Sequence, residues 1–396
     1  MIILEKNLFE ENSRKHRTLK MVYQIIHQYG PITKTDLIRM TSLKPTTLVR
    51  MIDELLQDRF IEEFGYADSS GGRPPVLYRS IPDRYFLIGI DLSRTSVKVI
   101  LLNLAFEKLD GVLFPMTSTS TPQKTMDQII EVIQDLLEKH QIPKDLLLGI
   151  GIGSVGPLDR KNGIILNPNG FPGPGWINVA IVDRLQEVIP VKIMLENGAN
   201  TAVLAEYQMN RGPYQNILYC ISGAGLRCGV IVNGRLMEPQ TGDATAFGHM
   251  IINLHGKECF CGKKGCLASY ISLESIRSEW IRRQKEIEDV DRLTMDDVLK
   301  LIKRADPLII EIILDSAYYY GVGLANMVNS LHPDLVVLSG PLIDEVPDYF
   351  ESIVNTARQY IFPQGTRVVH FSKGTMRDAA AIGAAMHLFS SFFSID

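Results

Sequence analysis

Apolar residues recur at helical spacing through the first sixty positions, then give way to the runs and alternations of strands. In HRTLKMVYQIIHQYG, Leu19, Val22, Ile25 and Ile26 share one face, and Gly30-Pro31 stops the helix. Thr33 suits the N-cap of TKTDLIRMT, a short second helix with Leu37 and Ile38 inward. TSL then turns the chain into KPTTLVRMIDELLQDRF. In that third helix Leu48, Ile52, Leu55 and Leu56 form the buried face, so Thr46, Thr47 and Arg50 point outward from its N-terminal half. FIEEFG and PVLYRSI read as two short strands around ADSSGGRP, a Gly-rich tip bearing Arg73.

This order predicts a winged helix-turn-helix over residues 1–80, with Lys44, Thr46, Thr47, Arg50 and Arg73 as the contacts to double-stranded DNA. A helical oligomerisation module would share the amphipathic helices, but order, turn, wing and polar outward face together favour DNA. Arg73 has a second reading, as a linker residue paired with the next domain.

From residue 85 the pattern becomes YFLIGIDLSRTSVKVILLNL, a buried strand, a turn and another strand, followed by a helix near 125–140 and the buried strand LLLGIGIGSVGP. NILYCISGAGLRCGVIVNGRL repeats strand, Gly-rich turn, strand. Two halves, each opening with a hairpin, predict a duplicated α/β fold with a cleft between lobes. Residues 307–330 form a long apolar helix, and PDLVVLSGPL a buried strand ending in a Gly turn.

At 396 residues, 45% hydrophobic and 22% charged, the chain has material for two or three cores. No run of about 18 uncharged apolar residues occurs. Charges at the N-terminus interrupt any signal-peptide stretch, so a cytoplasmic protein without a membrane segment is expected. Residues 1–80 carry 12 Lys+Arg against 10 Asp+Glu while the whole chain is at −4, so a polyanion partner belongs to the N-terminal part.

Three of the five cysteines fall inside CFCGKKGC, residues 259–266. An odd, clustered set in a reducing compartment points to metal rather than disulfides. With Gly248-His249 upstream, Cys259, Cys261, Gly262, Gly265 and Cys266 match the zinc signature of the ROK family (repressors, open reading frames, kinases), which the whole chain resembles. The resemblance implies a two-lobed actin-like sugar-kinase fold, with the winged helix of the family's repressor branch. It divides the chain into 1–80 and 81–396, the latter into a first lobe of about 83–197, a second of about 198–378 with the zinc site, and a C-terminal helix of about 379–396. Three thiolates and the His249 imidazole make a closed Cys3His shell for structural Zn2+, with no open position for a catalytic water. Cys220 and Cys228, on the other hairpin, read as small core residues.

The resemblance also shows what has changed. The family's first phosphate loop, Asp-x-Gly-Gly-Thr, is here Asp91-Leu92-Ser93-Arg94-Thr95, and its second, Gly-Thr-Gly-x-Gly, is Gly223-Ala224-Gly225-Leu226-Arg227. Its kinases read Glu-Asn-Asp-Ala-Asn where this chain reads LENGAN, so Gly198 stands at the position of the general base. Two acids that contact sugar hydroxyls in the family are Ala246 and Ala268. Asn169, Asn197 and His249 remain as effector contacts, and both asparagines can instead satisfy loop backbone.

The resemblance therefore implies a repressor of carbohydrate-metabolism genes, with a catalytically inactive ROK domain that binds a sugar or polyol effector. Symmetric operators require at least a homodimer, or a homotetramer. A bifunctional ATP-dependent sugar kinase and a repressor controlled by a protein partner are the alternatives.

Overall fold

The computed structural model describes residues 8, 13–68, 74–168, 170–209, 213–237, 244–284, 295–363, 368–374 and 376–393. The first helix, α1 (Arg14–Tyr29), is N-capped by the Ser13 hydroxyl and closed at Gly30. A short strand β1 (Ile32–Thr33) leads into α2 (Lys34–Thr41), where Thr33 Oγ1 accepts the Asp36 N–H as its N-cap. Ser42, left-handed at φ 54°, turns the chain toward α3 (Pro45–Gln57), which starts with Pro at its first position. Strands β2 (Ile61–Tyr66) and β3 (Val76–Ser80) pair antiparallel, and β1 adds to the far side of β3. The α3 face differs from expectation in one detail. Met51 is buried with Leu48, Ile52 and Leu55, whereas Leu56 sits half-buried at its margin.

The remainder is built on two sheets of one topology. In the first, β4 (Phe86–Leu92), β5 (Ser96–Asn103) and β6 (Lys108–Pro115) form an antiparallel meander. Helix α4 (Pro122–Lys139) covers it, and β7 (Leu147–Ser154) and β11 (Lys192–Asn197) extend it in parallel, in the order β11-β7-β4-β5-β6. Between β7 and β11 lie a small antiparallel sheet of β8 (Leu158–Asp159), β9 (Ile164–Ile165) and β10 (Val179–Ala180), and helix α5 (Ile181–Gln186).

The second sheet repeats this plan. A meander of β12 (Ile217–Ser222), β13 (Leu226–Val232) and β14 (Arg235–Leu236) is followed by parallel β15 (Leu335–Ser339) and β16 (His370–Lys373), in the order β14-β13-β12-β15-β16. Its outer layer comprises α7 (Ala268–Ile271), α8 (Leu273–Arg283), α9 (Met295–Lys303), α10 (Pro307–Leu331), α11 (Pro341–Glu345) and α12 (Tyr349–Tyr360). Among the described residues α10 alone is long and apolar enough to cross a membrane, and over half of its most apolar stretch is buried in the fold.

Two helices join the sheets. Helix α6 (Gly198–Met209) packs on β12 and β13, α13 (Ala379–Ser390) packs on β4 and β7, and the two helices pack on each other. The approach is so close that side chains are excluded: a Cβ on Gly151 would meet the Ala384 carbonyl, and one on Gly383 the Thr201 carbonyl. Gly151→Val is therefore expected to abolish soluble expression or lower the melting temperature sharply, because the obstacle is backbone. A variant melting like the parent would contradict this packing.

The N-terminal module is not a separate bead. Its core continues through Tyr85, Leu87 and Ile100 to Ala385, Leu388 and Phe389 of α13. Tyr23 stacks on Phe393 at 5.9 Å, His27 lies 4.9 Å from Phe389, and the His27 Nε2 pairs with the Leu104 carbonyl at 2.7 Å.

Candidate functional site

The outward face of α3 is built by its start. Lys44 is the N-cap, and the exposed Lys44, Thr46, Thr47 and Arg50 follow one another around the first turns. Thr46, Thr47 and Arg50 line a groove of about 540 Å³ whose other wall is the N-terminal end of α1, with Arg14, Lys15 and Thr18. Lys15 is tied to Glu54 at 2.8 Å, which fixes the two helices. Val49, 40% exposed, stands between the polar residues, an apolar side chain suited to a thymine methyl. Arg14, Lys15 and Val49 were missed by the sequence reading because helical periodicity shows which face is buried, not which helix end lies beside it. Arg73 lies outside the described residues.

In the octet the four ligand atoms His249 Nδ1 or Nε2 and Cys259, Cys261 and Cys266 Sγ lie within 4.8 Å of one another. Cys261 and Cys266 Sγ are 3.7 Å apart, and Cys259 Sγ is 3.6 Å from His249 Nδ1. A tetrahedral ion with bonds of about 2.3 Å to sulfur and about 2.0 Å to nitrogen spaces its ligands by roughly 3.5–3.8 Å, so the donor set fits zinc. Gly262 and Gly265, at φ 82° and 75°, make the turns that bring the sulfurs together. Burial, then the neighbouring Cys261 and Cys259, push the Cys266 thiol up to about 12. Cys220 and Cys228 sit elsewhere, fully inside the core of the second sheet with Sγ atoms 3.4 Å apart.

Between the sheets, His249 also lines a cavity of about 40 Å³ with Arg94, Gly225, Arg227, Gly248 and Phe260. The Phe260 ring meets the His249 ring edge-on at 5.1 Å. Gly198 opens α6 at this place. A Cβ there would lie 3.5 Å from Arg227 Nη1, 3.6 Å from the Ser154 carbonyl and 3.8 Å from Asp91 Oδ1. The position has room for a side chain, and a guanidinium stands over it. Asn197 is buried and its Oδ1 accepts the Ala199 N–H at 3.0 Å, so that oxygen caps α6. Glu196 beside it accepts from the Asn197 N–H, Asn200 Nδ2 and Arg160 Nη1. Asn169 lies outside the described residues, and Arg94 Nε runs 3.2 Å from where a Cβ on the adjacent Gly170 would be.

The two hairpin turns differ. In the first, Ser93 Oγ accepts the N–H of Thr95 at 3.4 Å and of Ser96 at 3.1 Å, and donates to the Ser96 carbonyl at 2.8 Å. Backbone donors that could cradle a phosphate are thus used by a side chain of the turn itself. The second turn is open, with nothing within 4 Å of a Cβ on Gly225.

The ROK family profile matches residues 87–390. The chain belongs to the ROK family. The xylose repressor of Bacillus spizizenii is 26% identical over 378 residues, covering 95% of this chain and 96% of that protein. A glucokinase of Halalkalibacterium halodurans is 28% identical, over 76% of this chain and 94% of the enzyme. Among solved structures, a ROK family transcriptional regulator, a homolog of E. coli MLC protein, superposes with a TM-score of 0.77 over 96% of both chains at 20% identity, a likeness of fold. The ROK fold with an N-terminal winged helix is therefore the fold of this chain. Within that ROK frame, Ser93 and Phe260 are the site features that sequence reasoning underrated. Ser93 was read only as a replaced glycine and Phe260 was not singled out; Phe260 lines the cavity, and the Ser93 hydroxyl bonds the backbone of its own turn.

Proposed function

We propose that this ROK protein is a DNA-binding transcriptional repressor of carbohydrate-metabolism genes, working in the cytoplasm as a homodimer or homotetramer. Its ROK domain, stabilised by structural zinc on His249, Cys259, Cys261 and Cys266, binds an effector in the interlobe cleft without phosphorylating it. The observation that carries the reading is the exposed Thr46, Thr47 and Arg50 face of α3, continued by Arg14 and Lys15 across a groove. Side chains at the start of a recognition helix reach base edges, while cations on the neighbouring helix end suit phosphates. Zinc on His249, Cys259, Cys261 and Cys266 would supply no chemistry beyond holding the octet against the outer layer of the second lobe.

Arg50→Ala is expected to weaken operator binding about tenfold or more at fixed salt without changing the melting temperature. Arg14→Ala is expected to weaken binding evenly across sequences and to reduce the salt slope by about one. An unchanged affinity in gel shifts for both variants would remove this surface from the DNA site.

The absence of catalysis has support of its own. Gly198 provides no general base, Ser93 occupies the donors of the first turn, and Arg227 stands where the base would act. A Cβ at position 198 would make only ordinary contacts, yet in Gly198→Asp the Arg227 guanidinium would pair with the new carboxylate and lower its basicity toward a sugar hydroxyl. Neither parent nor variant is expected to show sugar-dependent ATP turnover. Magnesium-dependent phosphorylation by the parent above a heat-killed control would establish the bifunctional kinase instead.

A further inference from the structure

Away from the interlobe cleft, a cavity of about 600 Å³ lies in the outer layer of the second lobe, between α8 and α10. Ligand sites commonly measure about 300–1,000 Å³, a range this cavity meets and the cleft cavity of about 40 Å³ does not. Buried Ile276 and Ile312 give it an apolar surface. The Tyr270 and Tyr319 rings stack at 4.2 Å, and Tyr318 meets Tyr319 edge-on at 5.7 Å. Tyr318 is exposed and Tyr319 half-buried, so both keep ring surface toward solvent. The charged side chains of the lining are all ion-paired. Glu279 is the hub, taking Lys257 at 3.4 Å, Arg282 at 2.6 Å and Arg283 at 2.9 Å, while Arg283 also reaches Asp315 at 2.8 Å.

We propose that this cavity is a second ligand site, for a neutral cyclic carbohydrate of one or two rings. It goes beyond the reading above and does not depend on what the cleft binds. The lining selects the ligand by elimination. An ionic ligand would have to compete with a pair already made for any charge it met. A purely apolar one would strip water from charged heads and return no hydrogen bond. A sugar ring meets both conditions, because its rim carries neutral hydroxyls and its faces carry carbon-bound hydrogens. Asp315 is engaged at Oδ2 by Arg283, and a carboxylate bonded at one oxygen keeps acceptor capacity for a hydroxyl. The Lys257 ammonium and the Arg282 guanidinium likewise carry more N–H groups than Glu279 takes up. Hydrogen bonds to such ionised groups are the strong ones, and a neutral hydroxyl makes them without displacing the ion partner. The electron-rich faces of Tyr318 and Tyr319 suit the polarised C–H groups of the ring.

The test is titration calorimetry on the full chain without DNA, with xylose, glucose, xylobiose, maltose and cellobiose beside xylitol, glucose 6-phosphate and adenosine. At least one of the cyclic neutral sugars is expected to bind, with an affinity that changes little as salt rises. Hydrogen exchange with that sugar is expected to show added protection in α8 and α10 and not at the β4–β5 turn. Tyr319→Ala is expected to weaken it at least about tenfold, and Tyr319→Phe, which keeps the ring, to leave it almost unchanged. Should Tyr319→Ala fold poorly, Asp315→Asn alters an exposed side chain and is expected to melt like the parent while weakening binding about threefold or more. Xylitol offers hydroxyls without a flat face and is expected to bind more weakly than any sugar that binds. The proposal is overturned if no cyclic sugar binds, or if xylitol, glucose 6-phosphate or adenosine binds more tightly than all of them. It is also overturned if Tyr319→Ala and Asp315→Asn leave affinity unchanged, or if protection is confined to the interlobe cleft. Dissociation of an oligomer by Tyr318→Arg would make this wall a contact between copies of the chain, and would equally overturn it.

Discussion

Cys266→Ser is expected to yield protein without stoichiometric zinc and with the second lobe destabilised by upwards of about 4 kcal/mol, the range in which lost metals fall. Cys266 is fully buried and is followed directly by Leu267 and α7, which pack into the core around α10. The octet is otherwise held by turns: Gly265 N–H bonds the Lys257 carbonyl, Cys259 N–H the Lys263 carbonyl, and Ile252 N–H the Gly265 carbonyl. Such a loop is held mainly by turns, so closure by a bound ion would take the place of a core. For a lobe of this size the loss corresponds to a fall in melting temperature of roughly 8–16 °C. The measurement is metal content by mass spectrometry beside calorimetric melting, with Cys220→Ala as a variant expected to keep its zinc. Parent protein purified without zinc, or Cys266→Ser retaining it, would refute the assignment.

Much of this molecule was legible in the chain because its signals are local. The repeated hairpin YFLIGIDL and NILYCISG announced the duplicated sheets, since period-2 apolar runs broken by turns leave little choice of structure. The octet was readable for a similar reason: fixed spacing and two glycines determine where sulfurs converge. What escaped was set by contacts between distant residues. Ser93 appeared as a lost glycine, whereas its hydroxyl bonds two backbone N–H groups that a phosphate would use. Arg94 and Arg227 appeared in the sequence only as replacements in two separate phosphate loops. Their meeting in one cavity depends on how the lobes pack, which no window of sequence encodes. Likewise, nothing in a pattern of apolar positions says that Tyr23 near one end of the chain stacks on Phe393 near the other.

That long-range packing leads to the second large effect. Phe389→Ala is expected to cost about 3–5 kcal/mol, as for other buried aromatic truncations, and to do so in the winged helix and the ROK domain together. Phe389 is 4% exposed, on the last turns of α13, and its ring contacts His27 of α1, Phe106 after β5 and Phe393 at 4.9, 5.4 and 4.9 Å. The same helix begins at Asp378, gripped by Lys98 and Lys108 of the first sheet, and its middle lies against α6, whose first residue is Gly198 in the cleft. If the cleft binds an effector, a helix packed on glycines at one end of its path and on aromatics at the other would be a direct route for displacement between cleft and winged helix. Removing the ring should therefore weaken effector control of operator binding as well as stability, while α3 keeps its DNA-facing residues and operator affinity without effector changes little. Hydrogen exchange would read the first consequence as lost protection in both α1 and α13. Gel shifts with and without effector would read the second. Loss of protection confined to α13, with effector response intact, would mean that the module and the ROK domain communicate by another route.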